Sequence, residues 1–310
     1  MIATMTLNPT IDRTLEICRL NVGGMNRVQA VIDHPSGKGI NVSRTLKTFG
    51  LPTQATALLG GESGRWIAET LTKEGLKLEV IPTAGSSRTN LKIWSREAKE
   101  ATEINEPGPL VSEKELEQVL AHIEANAAHW QWLVISGSMP PGVPSDFYGT
   151  LITKAKAQGA KIALDTSGAA LKQAIKAQPD LIKPNETEAE ELLGRYVRHE
   201  TEAEAAAAEL LQYGIRCVLL TLGKDGAFLG CDGEIWRAVP PEISVKSTVG
   251  CGDAALAGLL YGFRQGASLQ DALRWSTAAG AANASLPGTE PPTLDVIQML
   301  FHQVLIKRHL

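Results

Sequence analysis

The sequence predicts an α/β fold of stacked layers: a central, mostly parallel sheet covered by helices on both faces. Three observations predict it. Short runs of continuous apolar, β-branched residues end in polar or glycine-rich turns, as strands buried on both faces do. Helical patterns separate these runs, which is the alternation a parallel sheet requires. The composition, 44% hydrophobic and 21% charged over 310 residues, is that of a chain able to bury a sizeable core.

In chain order, Ile2–Leu7 reads as the first strand, and Val42–Phe49 as a helix opened by a glycine turn. Ser112–Ala128 reads as a helix because Ser112 and Glu115 have capping-box spacing. Leu133–Ser136, Lys161–Leu164, Leu181–Lys183 and Cys217–Leu222 are further strands. Helical patterns follow at Pro144–Gln158, at the Ala-rich Glu200–Tyr213 and at Asp253–Arg264, which ends towards Gly266. The remaining C-terminal stretch also reads as helix, including Ser268–Trp275 and Ala281–Ala284. Arg13–Asp33 and Arg88–Glu106 break the rhythm: polar and apolar residues alternate at period two, without helices of their own. They predict a small β lid over approximately residues 13–33 and 88–106. No repeat and no long linker divides the chain, so residues 1–310 are expected to form one domain with a discontinuous lid.

Charge narrows the function. Lys+Arg 30 against Asp+Glu 34 gives −4 and a pI near 5.9, which recommends neither nucleic acid nor a membrane surface as partner. The first twenty residues carry no basic n-region and meet Asp12 early, so no signal peptide is expected. No run approaches the roughly 18 apolar residues of a membrane span. Cys18, Cys217, Cys231 and Cys251 form no CxxC pair, and the six histidines form no HExxH helix. Four free thiols in a reducing cytoplasm are expected.

Four segments carry candidate chemistry. Thr248-Val249-Gly250-Cys251-Gly252-Asp253 runs directly into a helix. Its glycines let backbone N–H groups turn towards a ligand, and the helix start adds partial positive charge, making an anion site. An Asp there suits a base that takes a proton from an attacking hydroxyl, although Asp253 as a plain helix cap explains it too. Gly250-x-Gly252-x-x-Ala255 also meets a relaxed dinucleotide fingerprint, but Asp271 falls inside a helix and not at a strand end. Ser36-Gly37-Lys38-Gly39-Ile40-Asn41 is a glycine turn with a lysine able to clamp phosphate, or an ordinary surface turn. Lys183-Pro184-Asn185 with Glu188 sits at a strand end; capping accounts for Asn185 and Glu188, and so does a ligand edge. Thr221-Leu222-Gly223-Lys224-Asp225-Gly226-Ala227 is a strand end on glycines, or a turn joining two strands.

Together, in this order, these motifs resemble the ribokinase-like (PfkB) carbohydrate kinases over nearly the whole chain. Thr6-Leu7-Asn8-Pro9 with Asp12, and Ser136-Gly137-Ser138, resemble the branch of 1-phosphofructokinases and tagatose-6-phosphate kinases. The resemblance implies the ribokinase-like three-layer fold with a β-sheet lid, and ATP-dependent phosphorylation of a phosphorylated ketohexose with Mg²⁺. Fructose 1-phosphate to fructose 1,6-bisphosphate is the foremost expectation. A tagatose-6-phosphate kinase or 6-phosphofructokinase is the alternative, and a non-catalytic sugar-phosphate-binding regulator the alternative of another class.

By the same resemblance Asp253 is the base, and Gly250, Cys251 and Gly252 hold the transferring phosphoryl group. Asp12, Gly37 and Asn41 orient sugar hydroxyls, with Gly39 and Asn90 also on the substrate side. Lys38, Arg88 and Ser138 hold the substrate's phosphate. Lys183, Asn185, Thr221, Gly223 and Gly226 line the ATP side with Asn283, and Glu188 with Asp165 orders magnesium. The chain departs from the family pattern at Cys251, where Ala or Ser is usual, and at Ser36, where Gly is commoner. Thr102-Glu103-Ile104-Asn105 resembles the 1-phosphofructokinase branch, since fructose-6-phosphate users tend to be basic near Glu103 and tagatose-6-phosphate kinases apolar at Asn105. Lid strands expose edges, which predicts a homodimer through the lid, with Asn26 and Arg27 approaching the partner's sugar site.

Overall fold

A computed structural model describes residues 1–308. The chain opens with β1 (Ile2–Thr6), β2 (Thr10–Ile17), β3 (Ala30–Ser36), α1 (Lys38–Thr48), β4 (Thr53–Leu59) and α2 (Gly61–Lys73). It continues with β5 (Leu78–Pro82), β6 (Arg88–Ser95), β7 (Glu100–Ile104), α3 (Glu113–Asn126), β8 (Trp132–Ser136) and α4 (Phe147–Ala157). Next come β9 (Lys161–Asp165), α5 (Gly168–Ala174), β10 (Leu181–Ile182), α6 (Glu186–Leu193), α7 (Glu200–Leu211) and β11 (Cys217–Thr221). The described chain ends with β12 (Ala227–Cys231), β13 (Glu234–Val239), α8 (Cys251–Arg264), α9 (Leu269–Ala284), α10 (Leu294–Phe301) and β14 (Leu305–Arg308).

Ten strands form the main sheet in the order β14-β13-β12-β11-β10-β9-β8-β1-β4-β5, parallel from β11 to β5 and antiparallel beyond β11. Alternation along each strand sorts side chains onto two faces. Leu133, Ile135, Val218 and Leu220 pack with Leu116, Tyr148 and Leu151 on one face. Trp132, Val134, Leu219 and Leu229 pack with Val42, Leu256 and Ala278 on the other. The three layers expected from the sequence are these. No helix of the described residues is long and apolar enough to cross a membrane.

The lid is a separate four-stranded sheet, β3-β2-β6-β7. It starts earlier than the sequence suggested, at Thr10, because Thr10–Ile17 pairs residue by residue with Arg88–Ser95. Three other expectations change. The chain end is not all helix: Leu305–Arg308 adds an antiparallel edge strand to β13. Helix α1 begins at Lys38, not Val42, since Gly37 at φ 137° serves as its N-cap. Cys217 and Cys231, expected free, stand opposite each other in the β11–β12 register, with Cα atoms 4.3 Å apart and their sulfurs bonded. A spacing rule misses such a pair because the hairpin, not the sequence interval, brings it together.

Two glycines set the depth of α8. A Cβ on Gly258 would lie 2.4 Å from the Trp275 carbonyl oxygen, and one on Gly262 would lie 2.6 Å from Ala272 Cα. Only glycine lets α8 and α9 approach so closely, and that approach seats the first turn of α8 over the sheet.

Candidate active site

A cavity of about 980 Å³ opens between the lid and the carboxyl ends of the parallel strands, where layered α/β folds bind ligands. Its floor is the first turn of α8. Gly250, with φ 81°, caps that helix, and a side chain there would be strained. Asp253 does not act as a cap: its carboxylate is buried, and its Oδ2 accepts a 2.8 Å hydrogen bond from Asn41 Nδ2 on α1. Burial and the nearby Asp165 charge push the Asp253 pKa up to about 7, opposed by Lys38, Asn41 and Lys183. A carboxylate so poised exchanges a proton near neutral pH.

Behind it lies a buried charge cluster. Asp165, at the end of β9, has no exposed side-chain surface; its Oδ1 is 2.8 Å from Lys38 Nζ and its Oδ2 is 3.1 Å from Lys183 Nζ. Burial alone would raise the Asp165 pKa, but Lys183 and Lys38 hold it below the usual carboxylate range. Burial likewise opposes charge on Lys38, yet Asp165, Asp253 and Glu188 keep its pKa above the ordinary lysine value. Gly252 leaves room for Lys183, whose Nζ would be 3.0 Å from a Cβ at that position. Lys38 also lines the cavity, so it faces Asp165 and Glu188 on one side and the open site on the other.

On the sheet side, Asn185 and Glu188 form the capping box of α6: Asn185 Oδ1 accepts from Glu188 N, and Glu188 Oε2 accepts from Asn185 N, both at 2.9 Å. The capping reading is realised, and it leaves Glu188 Oε1 facing Lys38 Nζ at 4.0 Å. A magnesium ion held mainly by nucleotide phosphates and water needs only one or two protein carboxylates. Glu188, with one oxygen uncommitted, fits that need. Asp165, the other expected magnesium residue, has Lys38 Nζ 2.8 Å from one oxygen and Lys183 Nζ 3.1 Å from the other. Thr221, Gly223 and Gly226 line the same side of the cavity. Gly226 sits at φ 97°, where a Cβ would come within 1.9 Å of the Ala238 carbonyl oxygen.

On the lid side, Asn90 Nδ2 donates to Asp12 Oδ1 at 3.3 Å, and burial raises the Asp12 pKa against hydrogen bonds from Ser36 and Asn90. Gly37 and Asn41 line the cavity beside them. Arg88 donates from Nη1 to the Glu106 carbonyl at 2.9 Å and from Nη2 to the Asn8 carbonyl at 3.2 Å; its buried Nε has no partner among the described residues. Ser138 stands outside the cavity wall, accepting from Asn8 Nδ2 at 3.2 Å.

Two expectations are corrected. Gly39 does not reach the cavity: a Cβ there would be 2.5 Å from Thr6 Oγ1, so the glycine seats α1 against β1. Asn283 does not face the adenine side. Its Nδ2 donates to the Glu290 carbonyl at 3.0 Å, and its Oδ1 backs onto Gly250. Residues on α9 that do line the cavity are Ser276, Thr277, Gly280, Ala281 and Ala284. The wall opposite is Pro240–Ile243 and Val245, which the sequence reading missed; a Pro-Pro pair leaving a strand is the signal that could have found it. Asn26, expected near a partner's site, closes its own loop by donating to the Asn21 carbonyl at 2.9 Å.

A sequence model described as the pfkB family carbohydrate kinase matches residues 5–295. The chain is 32% identical over 308 residues to a 1-phosphofructokinase of Bacillus subtilis (strain 168), covering 99% of this chain and 100% of that one. It is 35% identical over 301 residues to a 1-phosphofructokinase of Borreliella burgdorferi, covering 97% and 96%. Among solved structures, phosphofructokinase-2 from Escherichia coli in complex with potassium superposes with a TM-score of 0.92 at 30% identity, covering 97% of this chain and 98% of that chain.

Proposed function

The chain belongs to the pfkB family of carbohydrate kinases and is a sugar-phosphate kinase, and we propose that it converts fructose 1-phosphate and ATP to fructose 1,6-bisphosphate and ADP. The observation that carries this reading is the buried Asp253 carboxylate, held by Asn41 beside a glycine-lined helix start, in a cavity lined on the lid side by Asp12, Arg88 and Asn90. The 1-phosphofructokinase relatives support the choice of sugar.

In this mechanism the sugar lies across Asp12, Asn90 and Asn41, with its acceptor hydroxyl against Asp253. As the hydroxyl oxygen bonds to the γ-phosphorus, its proton passes to Asp253 and the bond from phosphorus to the ADP oxygen breaks. Backbone N–H groups of Gly250, Cys251 and Gly252 hold the charge spreading over the transferring oxygens. Lys183 adds fixed positive charge beside Gly252. Bound Mg²⁺, held through Glu188, would neutralise charge on the nucleotide phosphates. Asn185, Thr221, Gly223 and Gly226 line the nucleotide's side of the cavity.

Coupled ADP release with fructose 1-phosphate, fructose 6-phosphate and tagatose 6-phosphate tests the reading. The expected result is highest kcat/KM with fructose 1-phosphate. Preference for either other sugar would reassign the substrate within the same chemistry. No turnover with tight sugar-phosphate binding would replace the kinase by a regulator.

We also propose one catalytic domain spanning residues 1–310, working in the cytoplasm as a homodimer joined through the lid. Val22, Met25 and Val31 on the lid are 89%, 81% and 55% exposed, and an apolar partner surface would cover them. Sedimentation showing a fully active monomer would overturn the dimer.

A further inference from the structure

Strand β6 presents Arg88, Asn90 and Lys92 on one face, because successive side chains alternate across a strand. Thr10, Asp12 and Ser36, which stand on that face by register, line the cavity with Arg88 and Asn90. Lys92 extends the row by one more position, just beyond the residues that line the cavity. It lies opposite Glu103 of β7, and its Nζ is 3.6 Å from Glu103 Oε1. Its positive charge is felt at Asp12 and at Cys251, on the lid and on the floor of the site.

A ketohexose phosphate brings a dianion that needs a cation away from Asp253. Lys38 and Lys183 are held by Asp165. Arg88 has two of its nitrogens bound to carbonyl groups. Lys92 has only the Glu103 carboxylate within ion-pair distance, and at 3.6 Å that pair leaves its N–H groups unspent.

We propose that Lys92 binds the phosphate group the ketohexose already carries, with Glu103 as the counter-ion that holds the ammonium until substrate replaces it. The inference rests on the kinase reading above and assigns the residue that makes the enzyme require a phosphorylated sugar. Glu103 contributes to selection, because its own charge repels the phosphate until Lys92 turns from one anion to the other.

The test compares Lys92→Met, Lys92→Arg and Glu103→Gln with the unaltered enzyme by kcat/KM for fructose 1-phosphate, fructose 6-phosphate, tagatose 6-phosphate and unphosphorylated fructose. With Lys92→Met, preference for the phosphorylated substrate over fructose is expected to fall about 100-fold, as loss of a charge-assisted contact present only with the phosphate requires. Lys92→Arg should restore most of it, and Glu103→Gln should lower KM for the phosphorylated sugar. A melting temperature unchanged in Lys92→Met separates this from misfolding; if that variant unfolds, the Glu103→Gln shift in KM decides alone. A preference ratio within about three-fold of the original, with normal turnover by the unaltered enzyme, overturns the role of Lys92 only. An unaltered enzyme that turns over no ketohexose phosphate overturns the kinase reading, and this inference with it.

Discussion

Asn41 Nδ2 donates to Asp253 Oδ2 at 2.8 Å across 212 positions of sequence, joining the first turns of α1 and α8. The contact does two things. It fixes the carboxylate's orientation, and it favours the ionised form, offsetting part of what burial does to Asp253. Removing the donor in Asn41→Ala should therefore move the acid limb of the kcat profile to higher pH. Activity at pH 6 should fall more than activity at pH 8. Equal losses at both would show that Asn41 only holds substrate.

Asp253→Asn removes the proton acceptor while keeping the shape. Turnover should fall about 10³-fold or more, the scale of a general base. Stability should move the other way. A buried carboxyl raised from 3.8 to about 7 binds a proton in the folded state that the unfolded chain has released. Its burden on folding therefore grows as pH rises from about 4 to about 7 and is constant above. The Asn variant should be more stable than the parent, by a wider margin at pH 8 than at pH 5. Chemical denaturation at the two pH values measures it.

Lys38 is read here mainly as a partner of buried Asp165, and that reading makes a stability prediction. Lys38→Met leaves the buried Asp165 with Lys183 alone. Stability at pH 7 should drop by about 2 kcal/mol, less than for a carboxylate left wholly unpaired. A variant as stable as the parent would return Lys38 to the role of a free phosphate clamp.

The layers and most of the catalytic floor were legible in the sequence because each depends on local pattern. Apolar runs at Leu133–Ser136 and Cys217–Leu222 became strands within a residue of their expected ends, and the Ser112–Glu115 and Asn185–Glu188 spacings became capping boxes. What depended on pairing between distant segments was not legible. The Cys217–Cys231 bond and the Lys92–Glu103 pair follow from strand register, which hydrogen bonds between strands decide. Nor was the Asn283 contact legible, because its partner, the Glu290 carbonyl, lies in the loop after α9. The pairing of Lys38 with the buried Asp165 was also not legible, because a lysine between glycines carries no mark of a carboxylate 127 positions away.

Cys251 stands between the two glycines at the start of α8, and in the proposed mechanism its backbone N–H, not its thiol, serves the chemistry. Burial, reinforced by Asp253, pushes the thiol up to about 12, and its Sγ–H faces the Ser247 carbonyl at 3.7 Å. The thiolate that alkylating reagents require is scarce at neutral pH. Iodoacetamide at pH 8 should label exposed Cys18 and spare Cys251, as peptide mass mapping would show. Cys251→Ala should keep kcat within a few-fold. A loss as large as that of Asp253→Asn would give the thiol a part in the reaction.

Gly226 tests the nucleotide wall independently of the acid–base chemistry. It ends the turn between β11 and β12 at φ 97°, and its N–H donates back to the Gly223 carbonyl at 3.3 Å. Alanine there meets two obstacles at once: a positive φ disfavoured by L side chains, and a Cβ 1.9 Å from the Ala238 carbonyl oxygen of the neighbouring strand. The turn must open, carrying Gly223 and Thr221 away from the cavity they line. Gly226→Ala should therefore raise KM for ATP about ten-fold or more while KM for the sugar phosphate, held from the lid, changes little. Gly233, also at positive φ (86°) but with open space around its Cα, is the control. Alanine at Gly233 bears the backbone strain without the clash, so it should lower stability by only about 1 kcal/mol and leave both KM values near those of the parent. If Gly226→Ala raised both KM values together, the turn would be supporting the whole site and not the nucleotide side of it.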